Sequence, residues 1–167
     1  MIKLLVFSDS HRHNKNMERI IAQAQDISYI LHLGDCCADA ELMARRFPDL
    51  NFEWVRGNCD YSGCPYDKLL TLGGKRIFIT HGHKYNVKTD YLRLVYAAMS
   101  READACFFGH SHEPALFYEK GILFMNPGSI SQPRGMPQPS YGLAEISEGG
   151  IEGKIVCCPA NDKGTGA

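Results

Sequence analysis

Five times along this chain a short apolar stretch stops abruptly on a group of aspartate, asparagine, histidine and glycine: Asp9-Ser10-His11, Gly34-Asp35, Gly57-Asn58-Cys59-Asp60, His81-Gly82-His83 and Gly109-His110-Ser111-His112. The stretches that precede them (2–7, 29–33, 51–55, 75–80 and 105–108) have the length and content of strands. Lys3-Leu4-Leu5-Val6-Phe7 does not alternate, which is the pattern of a strand covered on both faces. In open α/β sheets, ligands bind beyond the carboxyl ends of strands. Five such ends, far apart in sequence, are therefore expected to converge on one crevice.

The intervening segments fit that plan. Met17, Ile20, Ile21 and Ala24 recur at helical spacing over about 14–25, with Asn14 or Asn16 as the capping candidate, and 39–47 reads as a second helix. The order is strand, helix, strand, helix, strand. Gly73-Gly74 joins 68–72 to 75–80 as a two-residue hairpin, so the sheet is expected to be mixed. A helix over 91–100 follows, and strands at about 115–119, 122–125, 141–146 and 151–156 read as an antiparallel second half. Trp54, Phe78, Phe107 and Phe108 lie in apolar strands and are assigned to the core.

With 167 residues, 44% hydrophobic and 22% charged, the chain fits one domain over 1–160, with a small, polar tail at 161–167 expected to fray. A net charge of -1 offers no long-range field for nucleic acid or an anionic membrane. The first apolar run is too short for a signal peptide, and no later run can cross a bilayer. Seven cysteines, an odd number without Cys-x-x-Cys spacing, argue against a disulfide framework or a thiolate zinc site. Reduced thiols in the cytoplasm are the simpler expectation.

Carboxylate, imidazole and neutral amide together suit borderline-to-hard divalent ions such as manganese, iron, nickel or zinc. Six charged or imidazole groups exceed what one ion requires. Two ions about 3.5–4 Å apart, sharing one carboxylate, would use them all, polarise a phosphoryl oxygen and acidify a bridging water.

Asp9/His11, Asp35, Asn58/Asp60, His81 and His110/His112, in that order, resemble the motifs of the calcineurin-like metallophosphoesterases. Gly-Asn-Cys-Asp, the short chain, and Asn126-Pro127-Gly128-Ser129 followed by Pro133-Arg134 resemble the compact YfcE-type phosphodiesterase branch. The resemblance implies a mixed β-sandwich flanked by helices. It implies that Asp9, His11 and His112 hold one ion, that Asn58, His81 and His110 hold the other, and that Asp35 bridges them. Manganese stands ahead of nickel, iron or zinc, the nucleophile is a metal-bridging water or hydroxide, and a homo-oligomer is plausible.

Many members of that superfamily carry a histidine where this chain has Cys59, a poorer proton donor for the leaving oxygen. Cys59 reads equally as a catalytic group or a packed thiol, and Asp60 as a catalytic positioning group or a turn residue. Arg134 is the phosphate-binding candidate, with Arg12 behind it. His13 and His83 are expected beside the ligands rather than on the metals, and Cys36 and Cys37 as packing residues. Few fixed cations lie near the motifs, which favours a small, monoanionic phosphodiester substrate. The alternatives are a phosphomonoesterase on the same site or a protein-interaction scaffold of the retromer-subunit type.

Overall fold

The computed structural model describes residues 1–61 and 63–158, so the expected tail at 161–167 lies outside the described residues. Ten strands form two five-stranded sheets. The first sheet has the order β10 (Gly150–Cys157), β9 (Ser140–Ser147), β1 (Ile2–Phe7), β2 (Tyr29–His32) and β3 (Asn51–Trp54). The second runs β4 (Asp67–Leu72), β5 (Lys75–Thr80), β6 (Ala105–Phe107), β8 (Ile122–Asn126) and β7 (Ala115–Glu119). Three helices flank them: α1 (Lys15–Gln23), α2 (Cys37–Arg46) and α3 (Leu92–Ser100).

The unbroken apolar character of β1 follows from this layering. Leu4 and Val6 point between the sheets, against Ile77, Ile79, Phe107 and Met125. Leu5 and Phe7 point outward, under Met17, Ile20 and Ile21 of α1 and Met43 of α2. On the far side α3 covers Phe78, Cys106 and Phe124 with Leu94, Val95 and Ala98. The order is therefore helix, sheet, sheet, helix, with apolar residues on both sides of each sheet, and it is the expected sandwich.

Several local expectations change. Asn14 is the N-cap residue of α1, but its side chain makes no capping hydrogen bond: its amide lies 3.5 Å from Asp39 Oδ1, while Asn16 donates to the Ile130 carbonyl at 3.1 Å. The second half is not wholly antiparallel, because β6 pairs parallel with both β5 and β8, while β7 pairs antiparallel with β8 and β9 with β10. Trp54 is only partly buried, with Lys68 over its ring, because β3 is an edge strand. Among the described residues no helix is long and apolar enough to cross a membrane.

Parallel pairing of β1, β2 and β3 brings three of the polar ends to one rim. Backbone bonds tie the first two of those ends together, Asp9 N–H to Gly34 O at 3.0 Å and His11 N–H to Asp35 O at 3.2 Å, and in the second sheet Gly109 N–H to His81 O at 3.0 Å joins the ends of β6 and β5.

Candidate metal centre

At this rim six of the seven expected donors form two groups that share Asp35: Asp9, His11, Asp35 and His112, and Asp35, His81 and His110. The donor atoms within each group lie within 4.8 Å of one another. His112 Nε2 is 3.2 Å from Asp9 Oδ1 and 3.2 Å from His11 Nε2, and His11 Nε2 is 3.7 Å from Asp35 Oδ2. His81 Nε2 is 3.4 Å from Asp35 Oδ2 and 3.9 Å from Asp9 Oδ1. Two donors each about 2.0–2.2 Å from one ion, at angles of roughly 90–110°, stand about 3.0–3.5 Å apart, so these separations fit shared ions.

The second test of fit is what the donors lack. Asp9 Oδ1 and His81 Nε2 are buried and have no hydrogen-bond partner among the described residues. Burying a polar atom unpaired costs about 1–3 kcal/mol, and an ion would satisfy both. The remaining atoms of the same side chains are occupied. Asp9 Oδ2 accepts from Ser8 Oγ at 2.6 Å and from the His110 N–H at 3.1 Å. His81 Nδ1 faces the Leu33 carbonyl at 2.7 Å and His112 Nδ1 faces the Gln132 carbonyl at 2.7 Å. A carbonyl can only accept, so each Nδ1 carries the proton and each Nε2 presents a lone pair to the centre.

Charge points the same way. Burial raises the Asp9 and Asp35 acidities' midpoints, but the facing imidazoles outweigh it and hold both carboxyls below the usual range. The facing Asp9 carboxylate raises His112, and the carboxylates raise His81 against its burial. His110 is pulled down to about 4 by burial and by the charges of His81 and Lys88. The carboxylates thus draw positive charge into the site, where a proton or a metal ion can supply it.

The backbone is bent to make this arrangement. Asp9, His11, Asp35, His110 and His112 all have positive φ, between 46° and 71°. Such conformations cost non-glycine residues on the order of 1 kcal/mol or more each and cluster at functional sites. Gly57 packs against Asp35 so closely that a Cβ there would collide with Asp35 Oδ1.

The other expected residues fall around this core. Asn58 is exposed on the loop after β3, its amide 3.3 Å from Cys59 Sγ. The Cys59 N–H donates to Asp35 Oδ1 at 2.9 Å, and its exposed thiol is shifted upward by burial and by the charges of Asp35 and Asp60. Asp60 accepts four backbone N–H groups, from Asp35 (3.0 Å), Cys36 (3.1 Å), Cys37 (2.8 Å) and Gly57 (2.8 Å). Both its oxygens are committed to the loops, which favours positioning over direct chemistry. Arg134 is exposed; its backbone N–H bonds the His112 carbonyl and its side chain lines a cleft with Lys88 and Glu113. Arg12 and His13 are exposed, Cys37 is buried and Cys36 half-buried.

Sequence reading missed the residues that hold these loops. His32 is fully buried: Gly34 N–H donates to its Nδ1 at 3.3 Å, so Nε2 carries the proton and donates to Ser10 Oγ at 2.9 Å. It links the loop bearing Asp9 and His11 to the loop bearing Asp35. Ser129 and Ser131 both donate to the Asp9 carbonyl, at 2.8 and 3.0 Å, and Asn126 donates to Gly109 O at 3.0 Å. The available signal was the Asn126-Pro127-Gly128-Ser129 segment, which stands out in sequence but has no chemistry of its own. The expected scarcity of cations also changes. Arg56 and Lys84 both oppose a proton on His83, Lys88 opposes one on His110, and Arg134 opposes one on His112.

Comparison with known proteins agrees with this geometry. The model of the calcineurin-like phosphoesterase superfamily domain matches residues 2–149. The probable metallophosphoesterase YsnB of Bacillus subtilis is 35% identical over 147 residues, 87% of this chain and 85% of its own. The phosphodiesterase YfcE of Escherichia coli K12 is 32% identical over 101 residues, 54% of this chain and 50% of its own. A solved structure from Streptococcus pneumoniae TIGR4, described as a predicted phosphoesterase, superposes with a TM-score of 0.79 at 32% identity, covering 93% of this chain and 89% of that one. Vacuolar protein sorting 29 of Cryptosporidium parvum shares the fold, with a TM-score of 0.73 at 19% identity over 93% of this chain and 96% of that one. The match spans nine of the ten described strands, all but β10, and every one of the five polar strand ends, and the chain belongs to the calcineurin-like phosphoesterase superfamily.

Proposed function

We propose that this chain is a two-metal phosphodiesterase. The observation that carries the reading is Asp35 shared between two donor groups while Asp9 Oδ1 and His81 Nε2 lie buried and unpartnered. Asp9, His11 and His112 would hold one ion, Asn58, His81 and His110 would hold the other, and Asp35 would serve both. Two divalent ions, manganese ahead of nickel, iron or zinc, supply Lewis acidity toward a phosphoryl oxygen and an acidified water as nucleophile. The chain's own residues hold that chemistry in place: backbone carbonyls orient His81 and His112, and Ser8 and the His110 N–H fix Asp9. The Cys59 thiol, kept protonated, is the weak donor available to a leaving oxygen, which favours esters with good leaving groups. The substrate is a small phosphodiester met in the cytoplasm, in keeping with seven unpaired thiols.

The cations Arg56, Lys84, Lys88 and Arg134 favour a second reading, a phosphomonoesterase that takes the dianion. A scaffold role of the kind found in the retromer subunit has the fold in its favour, but the six donors gathered around Asp35 favour the enzyme.

The test is metal-dependent hydrolysis of matched aryl phosphodiesters and phosphomonoesters by chelated protein given manganese, nickel or zinc. Preferential diester cleavage with two ions bound supports the proposal, and preferential monoester cleavage selects the second reading. No activity together with no bound metal sinks both. Asp35→Asn is expected to lower the bound metal from two ions per chain to one or fewer and kcat by at least about 10³-fold; full activity in that variant contradicts the shared site.

A further inference from the structure

Beside the metal centre lies a group of residues that the proposed reaction does not use. The His83 ring is 5.4 Å from that of His81 and 6.0 Å from that of His110, and Tyr66 packs on its other side at 5.6 Å. Two cations converge on Tyr66: the Arg56 guanidinium carbon is 4.1 Å from the ring centroid and Lys84 Nζ is 3.2 Å from it. An aromatic face attracts a cation, but two positive charges on one ring repel each other unless an acid stands near.

Here no acid does. Lys68, Lys75, Arg76 and Arg101 each pair with a carboxylate, whereas neither Arg56 nor Lys84 forms an ion pair among the described residues. Arg56 Nε and His83 Nδ1 are, in addition, buried nitrogens without a hydrogen-bond partner among the described residues. The group is rich in donors and positive charge and poor in acceptors, which is the chemistry of an anion site. Tyr66 holds both cations in place, so less side-chain freedom is lost when an anion binds.

We propose that Arg56, Lys84 and His83, organised around Tyr66, form an anion subsite that selects phosphodiesters carrying a second anionic group, phosphate or carboxylate, on one ester arm. The inference rests on the phosphodiesterase reading: the scissile group occupies the metal centre, and the second anion sits two ring spacings away, past His83. It also accounts for cations that a simple monoanionic diester would leave unused.

The experiment uses p-nitrophenyl phosphodiesters whose second arm ends in a carboxylate, a phosphate or an uncharged amide. The expected kcat/KM for the anionic arms is at least about tenfold above the amide arm, carried in KM; whichever anion gains more identifies the class. Lys84 is exposed, so its variants should fold. Lys84→Gln is expected to bring the ratio of anionic to amide arm close to one, and Lys84→Glu to bring it below one. Without metal, inorganic phosphate titrated into chelated protein should shift the Tyr66 and His83 ring resonances, and should do so no longer in Lys84→Glu. A ratio near one in the unaltered protein, a ratio that survives both substitutions, or a phosphate shift that persists in Lys84→Glu overturns the subsite. Failure to cleave any of the three esters with any metal overturns the phosphodiesterase reading instead, and the phosphate titration then decides the subsite alone.

Discussion

The carboxylate of Asp60 accepts the backbone N–H of Asp35 at 3.0 Å, so the residue that contacts both donor groups is held through its main chain by a second acid 25 positions away. The same carboxylate gathers the N–H groups of Cys36, Cys37 and Gly57. Cys36, with φ of 104°, and Asp35, with φ of 56°, would not keep these conformations unaided.

Asp60→Ala therefore leaves four amides without their acceptor. The expected destabilisation is on the order of 3 kcal/mol, and metal affinity should fall about 10–100-fold. Denaturant unfolding of chelated protein and a metal titration measure the two effects. Asp60→Asn, which keeps one acceptor oxygen, should fall between, and an unchanged metal affinity in both variants would remove the positioning role.

Gly57→Ala tests the close approach of loop and ligand. The new Cβ cannot coexist with Asp35 Oδ1 in its present place. Overpacking of this kind costs about 1–3 kcal/mol, while displacement of Asp35 should cost at least about 10²-fold in kcat. A folded variant with normal metal content and turnover would show that Asp35 has room to move.

Cys59→His restores an imidazole at the proposed proton-donating position. For a poor alkoxide leaving group the expected gain in kcat is about 10-fold or more, within the 10²–10⁴-fold range of general acids, with little gain for p-nitrophenolate. The measurement is kcat against leaving-group pKa. An unaltered slope means that position 59 does not protonate the leaving oxygen.

Burial lowers His32, against the opposing charges of Asp39, Asp9 and Asp60, so the folded chain keeps it neutral while the unfolded chain titrates near 6.5. Below pH 6.5 the unfolded state then binds the extra proton, and stability falls as pH falls, by up to about 1.4 kcal/mol per unit. His81 and His112 shift the other way in metal-free protein, so the quantity to read is the difference between the unaltered chain and His32→Gln. Glutamine can both donate to Ser10 and accept from Gly34 without titrating. The variant should therefore lose less stability between pH 7 and 5, and an identical loss in both proteins would show that His32 is not held neutral.

Much of this could be read from the chain because periodicity and termination are local. The doubly covered β1 and the Gly73-Gly74 hairpin are written in residues that interact with near neighbours, and so are the polar strand ends with Asp9, His11, Asp35, His81, His110 and His112. Their order along the chain was enough to suggest a common rim, because parallel strands deliver their carboxyl ends to the same side. What the tertiary structure alone decided depends on partners far apart in sequence. The pairing of β9 with β1 returns the chain to the first sheet after β4 to β8 have formed the second, and Asp60 turns out to serve four backbone amides. His32 spans two loops from within the core, and Arg56 and Lys84 meet on Tyr66 although nothing in their spacing announces it. Strand identity and donor chemistry belong to individual residues and short windows, whereas hydrogen-bond satisfaction and charge neutralisation are set by whatever folding brings within a few ångströms.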